Sequence, residues 1–227
     1  MRSKYSGSDF KIMLSQKIKQ INQEITAVAK EPITIVGATK TVDISIINQL
    51  PALGINIVGE NKAQELVSKQ PFSHNLEWHF IGQLQTNKVR SIIDKVTMIQ
   101  SVDRIKLAEV IQKEASLISK VIDVLIEVNV GGEENKGGIE FRQALEFANK
   151  VTQFPNLCVR GLMTVLPVGA DKELYIQMKV LYNTLKEKND NIKYLSMGMS
   201  GDYITAVKCG ANMIRLGSAI FGERAYL

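Results

Sequence analysis

The chain's 227 residues, 45% of them hydrophobic, are enough to bury one substantial core and suit a single domain spanning 1–227. Its net charge of +5 comes from lysines and arginines spread along the chain, not gathered into arms or arrays, which argues against a nucleic-acid surface. Two cysteines, Cys158 and Cys209, outside any CxxC or Cys/His array argue against a disulfide framework or a zinc site, and the absence of a signal-like N-terminus or an apolar run of about 20 residues leads us to expect a cytoplasmic protein away from membranes.

Phe10, Leu14, Ile18, Ile21, Ile25 and Val28 recur at spacings of three and four, which predicts an amphipathic helix over 9–29 with Asp9 placed to cap it. Pro32 breaks the pattern, and the β-branched run 33–39 reads as a buried strand ending at Lys40. From there the alternation is regular: helix 43–53, strand 55–58, helix 62–69, strand 77–81, helix 87–94, strand 97–100 and helix 103–116. Residues 121–130 form the strongest strand, and the polar, glycine-rich 131–138 follows as a loop. Helix 141–153, strand 157–163 and helix 172–188 come next. Short strands at 194–197 and 212–216 flank a helix at 202–209, and a final helical stretch covers 218–224.

Alternating strands and helices imply a parallel sheet, and eight such units in a chain of this length predict an α/β fold of the (β/α)8 TIM-barrel type with an extra N-terminal helix. The exit of the first strand has no G-x-G-x-x-G, which argues against an open dinucleotide-binding sheet.

Barrels of this kind place reactive groups at the C-terminal ends of their strands. Those ends are Lys40, Glu60 with Asn61, Gly82, Ser101, Asn129, Met163, Ser200 with Gly201, and Gly217 with Ser218. The segments Met197-Gly-Met-Ser-Gly-Asp202 and Arg215-Leu-Gly-Ser-Ala-Ile-Phe-Gly222 lie at the last two strands, where barrels frequently bind phosphate. Read more blandly, their glycines only make tight strand-to-helix turns. Lys40 is either a lysine snorkelling from a strand end or an amine aimed into the barrel mouth; opposite a phosphate cup, an amine is what a phosphorylated aldehyde cofactor needs.

Several ordered blocks resemble one family. They are Val36-Gly-Ala-Thr-Lys40, Gly59-Glu-Asn61, Trp78-His-Phe-Ile-Gly-Gln-Leu-Gln-Thr-Asn-Lys88, Ser101-Val-Asp103, Val128-Asn129, Arg160-Gly-Leu-Met163, Leu195-Ser-Met-Gly-Met-Ser-Gly-Asp202 and Arg215-Leu-Gly-Ser-Ala-Ile-Phe-Gly222. With them the chain resembles the pyridoxal phosphate homeostasis proteins, whose fold is similar to the N-terminal barrel of bacterial alanine racemases.

The resemblance implies pyridoxal 5′-phosphate as cofactor, held as a Schiff base on Lys40. Ser200 and Gly201 with Gly217 and Ser218 match the phosphate cup, and Arg215 matches the arginine facing the pyridine nitrogen. Asn61 and His79 match further contacts around the ring, although His79 also reads as a hydrogen-bonded core residue and Asn61 as a cap for the helix from Lys62. Lys136 matches a family lysine and reads equally as a solvated loop charge. The stretch Lys40-Thr-Val-Asp43 departs from the family, many members of which carry a second lysine and a proline there.

The implied function is intracellular vitamin B6 homeostasis, a carrier that could hand cofactor to recipient apo-enzymes. A racemase needs a base on each face of the cofactor. In alanine racemases the second base is a tyrosine from a C-terminal domain of the partner subunit, whereas this sequence stops at Leu227 with Tyr203 and Tyr226 as the only nearby candidates. A non-catalytic monomer is therefore expected, with a slow amino-acid racemase as the alternative and a phosphosugar-binding barrel as a third reading.

Overall fold

The computed structural model describes residues 7–133 and 136–222, with side chains from Phe10 onward. Helix α1 (Gly7–Thr26) leads into β1 (Thr34–Ala38), α2 (Ile44–Ile47), β2 (Ile57–Glu60), α3 (Ala63–Lys69), β3 (Glu77–Phe80), α4 (Val89–Ile92) and β4 (Met98–Val102). Then follow α5 (Ile105–Leu117), β5 (Ile122–Asn129), a two-residue β6 (Ile139–Glu140), α6 (Ala144–Val151), β7 (Leu157–Met163), α7 (Lys172–Lys186), β8 (Tyr194–Ser196), α8 (Tyr203–Lys208), β9 (Met213–Leu216) and α9 (Ser218–Phe221). Strands run in the order β4-β3-β2-β1-β9-β8-β7-β5, and a pairing of β4 with β5 closes the ring. Every pairing is parallel, so the chain is the (β/α)8 barrel its alternation predicts, with β6 appended to β5.

The departures are local. The helix expected over 43–53 stops at Ile47, and Pro51 starts a separate 3-10 turn that ends at Gly54. β2 begins two residues later than read and runs on to Glu60, which seats that carboxylate at the strand end. The pair Ile139–Glu140 forms β6 just beyond what reads as a glycine-rich loop. Asp9, expected to cap the first helix, lies inside α1, which already starts at Gly7, and the last helix ends at Phe221, with 223–224 outside the described residues.

Two apolar layers follow from the two faces of the strands. Outside, residues such as Val58, Phe80, Ile99 and Ile126 meet the helices, and α1 adds Leu14, Ile18, Ile21 and Ile25 while packing on α8 and α9. Inside, Val36, Met98, Leu125, Met163 and Met213 form a buried floor. Since side chains alternate along a strand, the next inward residues sit two places on: Gln100 after Met98, Glu127 after Leu125, Ser196 after Tyr194 and Arg215 after Met213. A polar storey thus lies directly above an apolar one, toward the C-terminal mouth.

Gly161 shows how tightly the ring is drawn. Its φ is +150°, and a Cβ there would stand 1.8 Å from the carbonyl oxygen of Tyr194 on β8. It occupies the place where the β5–β7 register skips a residue, Val124 opposite Val159 and Leu125 opposite Gly161. Among the described residues no helix is long and apolar enough to cross a membrane.

Candidate functional site

Lys40 sits half-buried in the turn leaving β1. Next to it, Thr39 is wholly buried, and its hydroxyl donates to Glu60 Oε1 at 2.9 Å. Lys69, the last residue of α3, donates to three oxygens: the Thr39 carbonyl at 2.9 Å, Glu60 Oε1 at 2.7 Å and Glu65 Oε2 at 2.9 Å. Glu65 Oε2 also accepts the backbone N–H of Thr41 at 2.8 Å, on the far side of Lys40. Burial pushes the Glu60 carboxyl above its ordinary range, opposed by the Lys69 ammonium and the Thr39 hydroxyl.

Inside the barrel the polar storey forms a continuous relay that starts on β9, the strand paired with β1. Arg215, buried on β9, donates through Nη1 to the Ser196 hydroxyl at 2.7 Å and carbonyl at 3.0 Å, and through Nη2 to the Thr164 carbonyl at 2.8 Å. The Ser196 hydroxyl donates to Gln100 Oε1 at 2.7 Å, and Gln100 Nε2 meets His79 Nδ1 at 2.9 Å. Burial draws the Arg215 guanidinium down to about 10, against the pull of Glu127 and Asp202, so it stays charged at neutral pH. Burial takes the His79 imidazole down to about 3, so it stays neutral there.

Glu127 completes the storey. Burial and the neighbouring Asp103 push its carboxyl up to about 7, with Arg215 pulling the other way. The loop after β5 folds back over this corner: a Cβ on Gly137 would lie 3.5 Å from Glu127 Oε1, 3.5 Å from Gln83 Nε2 and 3.6 Å from Asp103 Oδ2.

The third part lies between β8 and β9. The backbone N–H groups of Gly217 and Ala219 both donate to Ser200 Oγ, at 3.2 and 3.0 Å, so two amides converge on one oxygen. Asp202 shapes the loop bearing Ser200, its carboxylate accepting the Met199 N–H at 2.6 Å and the Tyr175 hydroxyl at 2.6 Å. Because Gly37 pairs with Leu216, Gly217 falls beside Ala38, where an added Cβ would lie 3.5 Å from the Ala38 oxygen. The paired amides therefore neighbour the strand end that carries Lys40, and Arg215 sits two residues earlier on the same face of β9. Gly201 and Ser218 are exposed at the rim of this corner.

Other expected residues separate more clearly. Asn61 lies half-buried after β2, its backbone pressed against Gly82, where a Cβ would stand 2.2 Å from the Asn61 oxygen. It lines a cleft of about 270 Å³ with Lys62, Gln83 and Lys88. It is not the helix cap, since α3 starts at Ala63 with Lys62 in the cap position. Asn129 bonds the Glu133 backbone on both sides of its amide, at 2.8 and 3.2 Å, and so folds the loop after β5. Lys136 pairs with Glu133 at 2.6 Å. The Tyr203 hydroxyl donates to Glu24 of α1, and Tyr226 lies outside the described residues.

Sequence reasoning missed Gln100, Ser196, Thr164 and Glu127, and it gave Glu60 no role. The inward alternation of β4, β5 and β8 was the available signal, since a polar residue two places beyond a buried apolar one on a barrel strand faces the mouth.

Residues 13–225 match the family described as alanine racemase, N-terminal domain. A pyridoxal phosphate homeostasis protein of Aquifex aeolicus is 43% identical over 199 residues, covering 85% of this chain and 87% of the relative. Among solved structures, an unknown protein from Bifidobacterium adolescentis superposes with a TM-score of 0.89 at 27% identity, over 97% of this chain and 98% of that one. PipY of Synechococcus elongatus, solved with PLP bound, gives a TM-score of 0.80 at 25% identity over 92% of this chain and 100% of its own.

Proposed function

Since the chain belongs to the alanine racemase N-terminal domain family and, within it, to the pyridoxal phosphate homeostasis proteins, we propose that it binds pyridoxal 5′-phosphate through Lys40 and serves to hold and buffer that cofactor in the cytoplasm. The observation carrying this reading is the adjacency of the amide pair at Gly217 and Ala219 to the β1 end that bears Lys40. The cofactor has its aldehyde and its phosphate arm on neighbouring ring carbons, so an amine and an anion cup on neighbouring strands fit it. Bound there, it would supply an electrophilic aldehyde carbon, and Lys40 is the residue whose amine would hold it as a Schiff base.

Ser200, Gly201, Gly217 and Ser218 hold the phosphate in this reading, with backbone N–H groups as donors. Arg215 faces the pyridine nitrogen. Charged at neutral pH and able only to donate, it would leave that nitrogen unprotonated and the ring a weak electron sink, which would favour storage over carbanion chemistry. His79 and Asn61 bound the ring on the β2–β3 side. The protein acts as a monomer that releases cofactor to recipient apo-enzymes. The racemase alternative lacks support, because burial and Glu24 hold the Tyr203 hydroxyl up at about 12, making it a poor proton acceptor in the neutral range.

The test is a visible spectrum of the protein after incubation with the cofactor, then borohydride reduction and peptide mapping. A coloured species whose reduced label maps to Lys40 and vanishes in Lys40→Ala is the expected result. A colourless protein, or a label on another lysine, overturns the proposal, and steady turnover of an L-amino acid would replace it with the racemase reading.

A further inference from the structure

The three residues 39–41 are anchored more heavily than a strand-to-helix turn requires. Thr39 donates its N–H to the Gly59 carbonyl at 3.0 Å and its hydroxyl to Glu60, while its carbonyl accepts from Lys69. Thr41 donates its N–H to Glu65. Thr41 has φ of +65°, a left-handed conformation that β-branched residues disfavour and that persists only where the surroundings impose it.

The three donors of Lys69 meet three acceptors, and its side chain is 13% exposed against 0% for Glu60 and 25% for Glu65. A buried ion pair is weak evidence for stability, since desolvation offsets most of the attraction. What this one accomplishes is geometric: it ties the end of α3 and the end of β2 to the backbone on both sides of Lys40.

We propose that Lys69, with Glu60 and Glu65, is a positioning unit that fixes the strained turn so that the Lys40 amine is presented to an aldehyde in the barrel mouth. This rests on the reading of Lys40 as the attachment residue. Lys69 acts through the backbone of Thr39 and, by way of Glu65, of Thr41. Pre-organisation of this kind appears in the rate and equilibrium of attachment, because a misdirected amine seldom reaches the carbonyl carbon at a productive angle.

The experiment uses the full chain and compares Lys69→Met, Lys69→Arg, Glu65→Ala and Glu65→Gln with the unaltered protein. Schiff-base formation with pyridoxal 5′-phosphate is followed by absorbance across pH, the reduced label is mapped, and thermal melting is recorded without cofactor. Lys69→Met and Glu65→Ala should each slow attachment about tenfold or more. Glu65→Gln, which keeps an acceptor for the Thr41 amide, and Lys69→Arg, which keeps the charge, should recover most of the rate. Glu65 is partly exposed, so Glu65→Ala decides the matter should Lys69→Met fail to fold. Unchanged attachment kinetics in a folded Glu65→Ala, with the label still on Lys40, overturn the positioning role alone. A label on another lysine in the unaltered protein overturns the attachment reading and this one with it.

Discussion

Arg215 reaches His79 through two intervening side chains, and the direction of the hydrogen bonds leaves the histidine one tautomer. An arginine can only donate, so the Ser196 hydroxyl accepts from it and spends its own proton on Gln100 Oε1. The amide of Gln100 is thereby oriented, its NH2 group faces Nδ1 of His79, and the imidazole proton belongs on Nε2.

His79 should therefore stay neutral far into acid. Its folded value near 3 lies below the ordinary 6.5, so between those limits the unfolded chain binds a proton that the folded one does not. Stability is complete above about 6.5 and falls as pH drops toward 3, by about 1.4 kcal/mol per pH unit from this group. Denaturant titrations at stepped pH should show a shallower acid slope for His79→Gln, and nitrogen NMR should report an unprotonated Nδ1 in the parent. Gln100→Glu puts a carboxylate beside Nδ1 and should raise the His79 value.

Glu127 behaves in the opposite sense. Its folded value of about 7 lies above the ordinary 4.5, so its contribution is complete below about 4.5 and is lost as pH rises through 7. Glu127→Gln should accordingly gain on the order of 2–3 kcal/mol over the parent above neutrality and little in acid. Equal stability differences at pH 4 and pH 8.5 would contradict the burial argument.

Removing the Ser200 hydroxyl tests the anion cup selectively. Ser200→Ala should weaken pyridoxal 5′-phosphate binding by about 1 kcal/mol, some fivefold, and leave binding of unphosphorylated pyridoxal nearly unaltered. A matched loss for both ligands in equilibrium titrations would place Ser200 away from the phosphate.

Gly161→Ala should be among the most damaging single-atom changes to the barrel, since its methyl would overlap the Tyr194 carbonyl. A loss above about 3 kcal/mol in unfolding free energy from denaturant titration, or failure to accumulate as folded protein, is expected.

The strand and helix alternation was legible because strands such as β1 and β5 are short runs rich in β-branched residues, bounded by polar or glycine residues. Lys40 and Gly217 were legible as lying just past strand ends, whereas Ser200, read as one, lies in the loop beyond Ser196. Gln100 and Ser196 were not, because they bond across 96 residues of sequence and each looks locally like an ordinary polar residue in a weak strand. Pro51 was the signal that divides the helix after β1, and it was passed over in favour of the apolar pattern around it. The Lys69 network was hidden for the same reason as the relay: Glu60 read only as a strand end, and nothing local links it to Glu65 and Lys69 until the turn of β1 is laid against α3.

The two-storey interior ties the depth of the pocket to the closing of the ring. Were β9 to slide by a single place, Arg215 would swing out beneath a helix and an aliphatic neighbour would enter the chamber in its stead. A chain with that stave misaligned would lose the cation of its polar chamber, and ligand capture becomes a direct readout of whether the last strand has locked against the first.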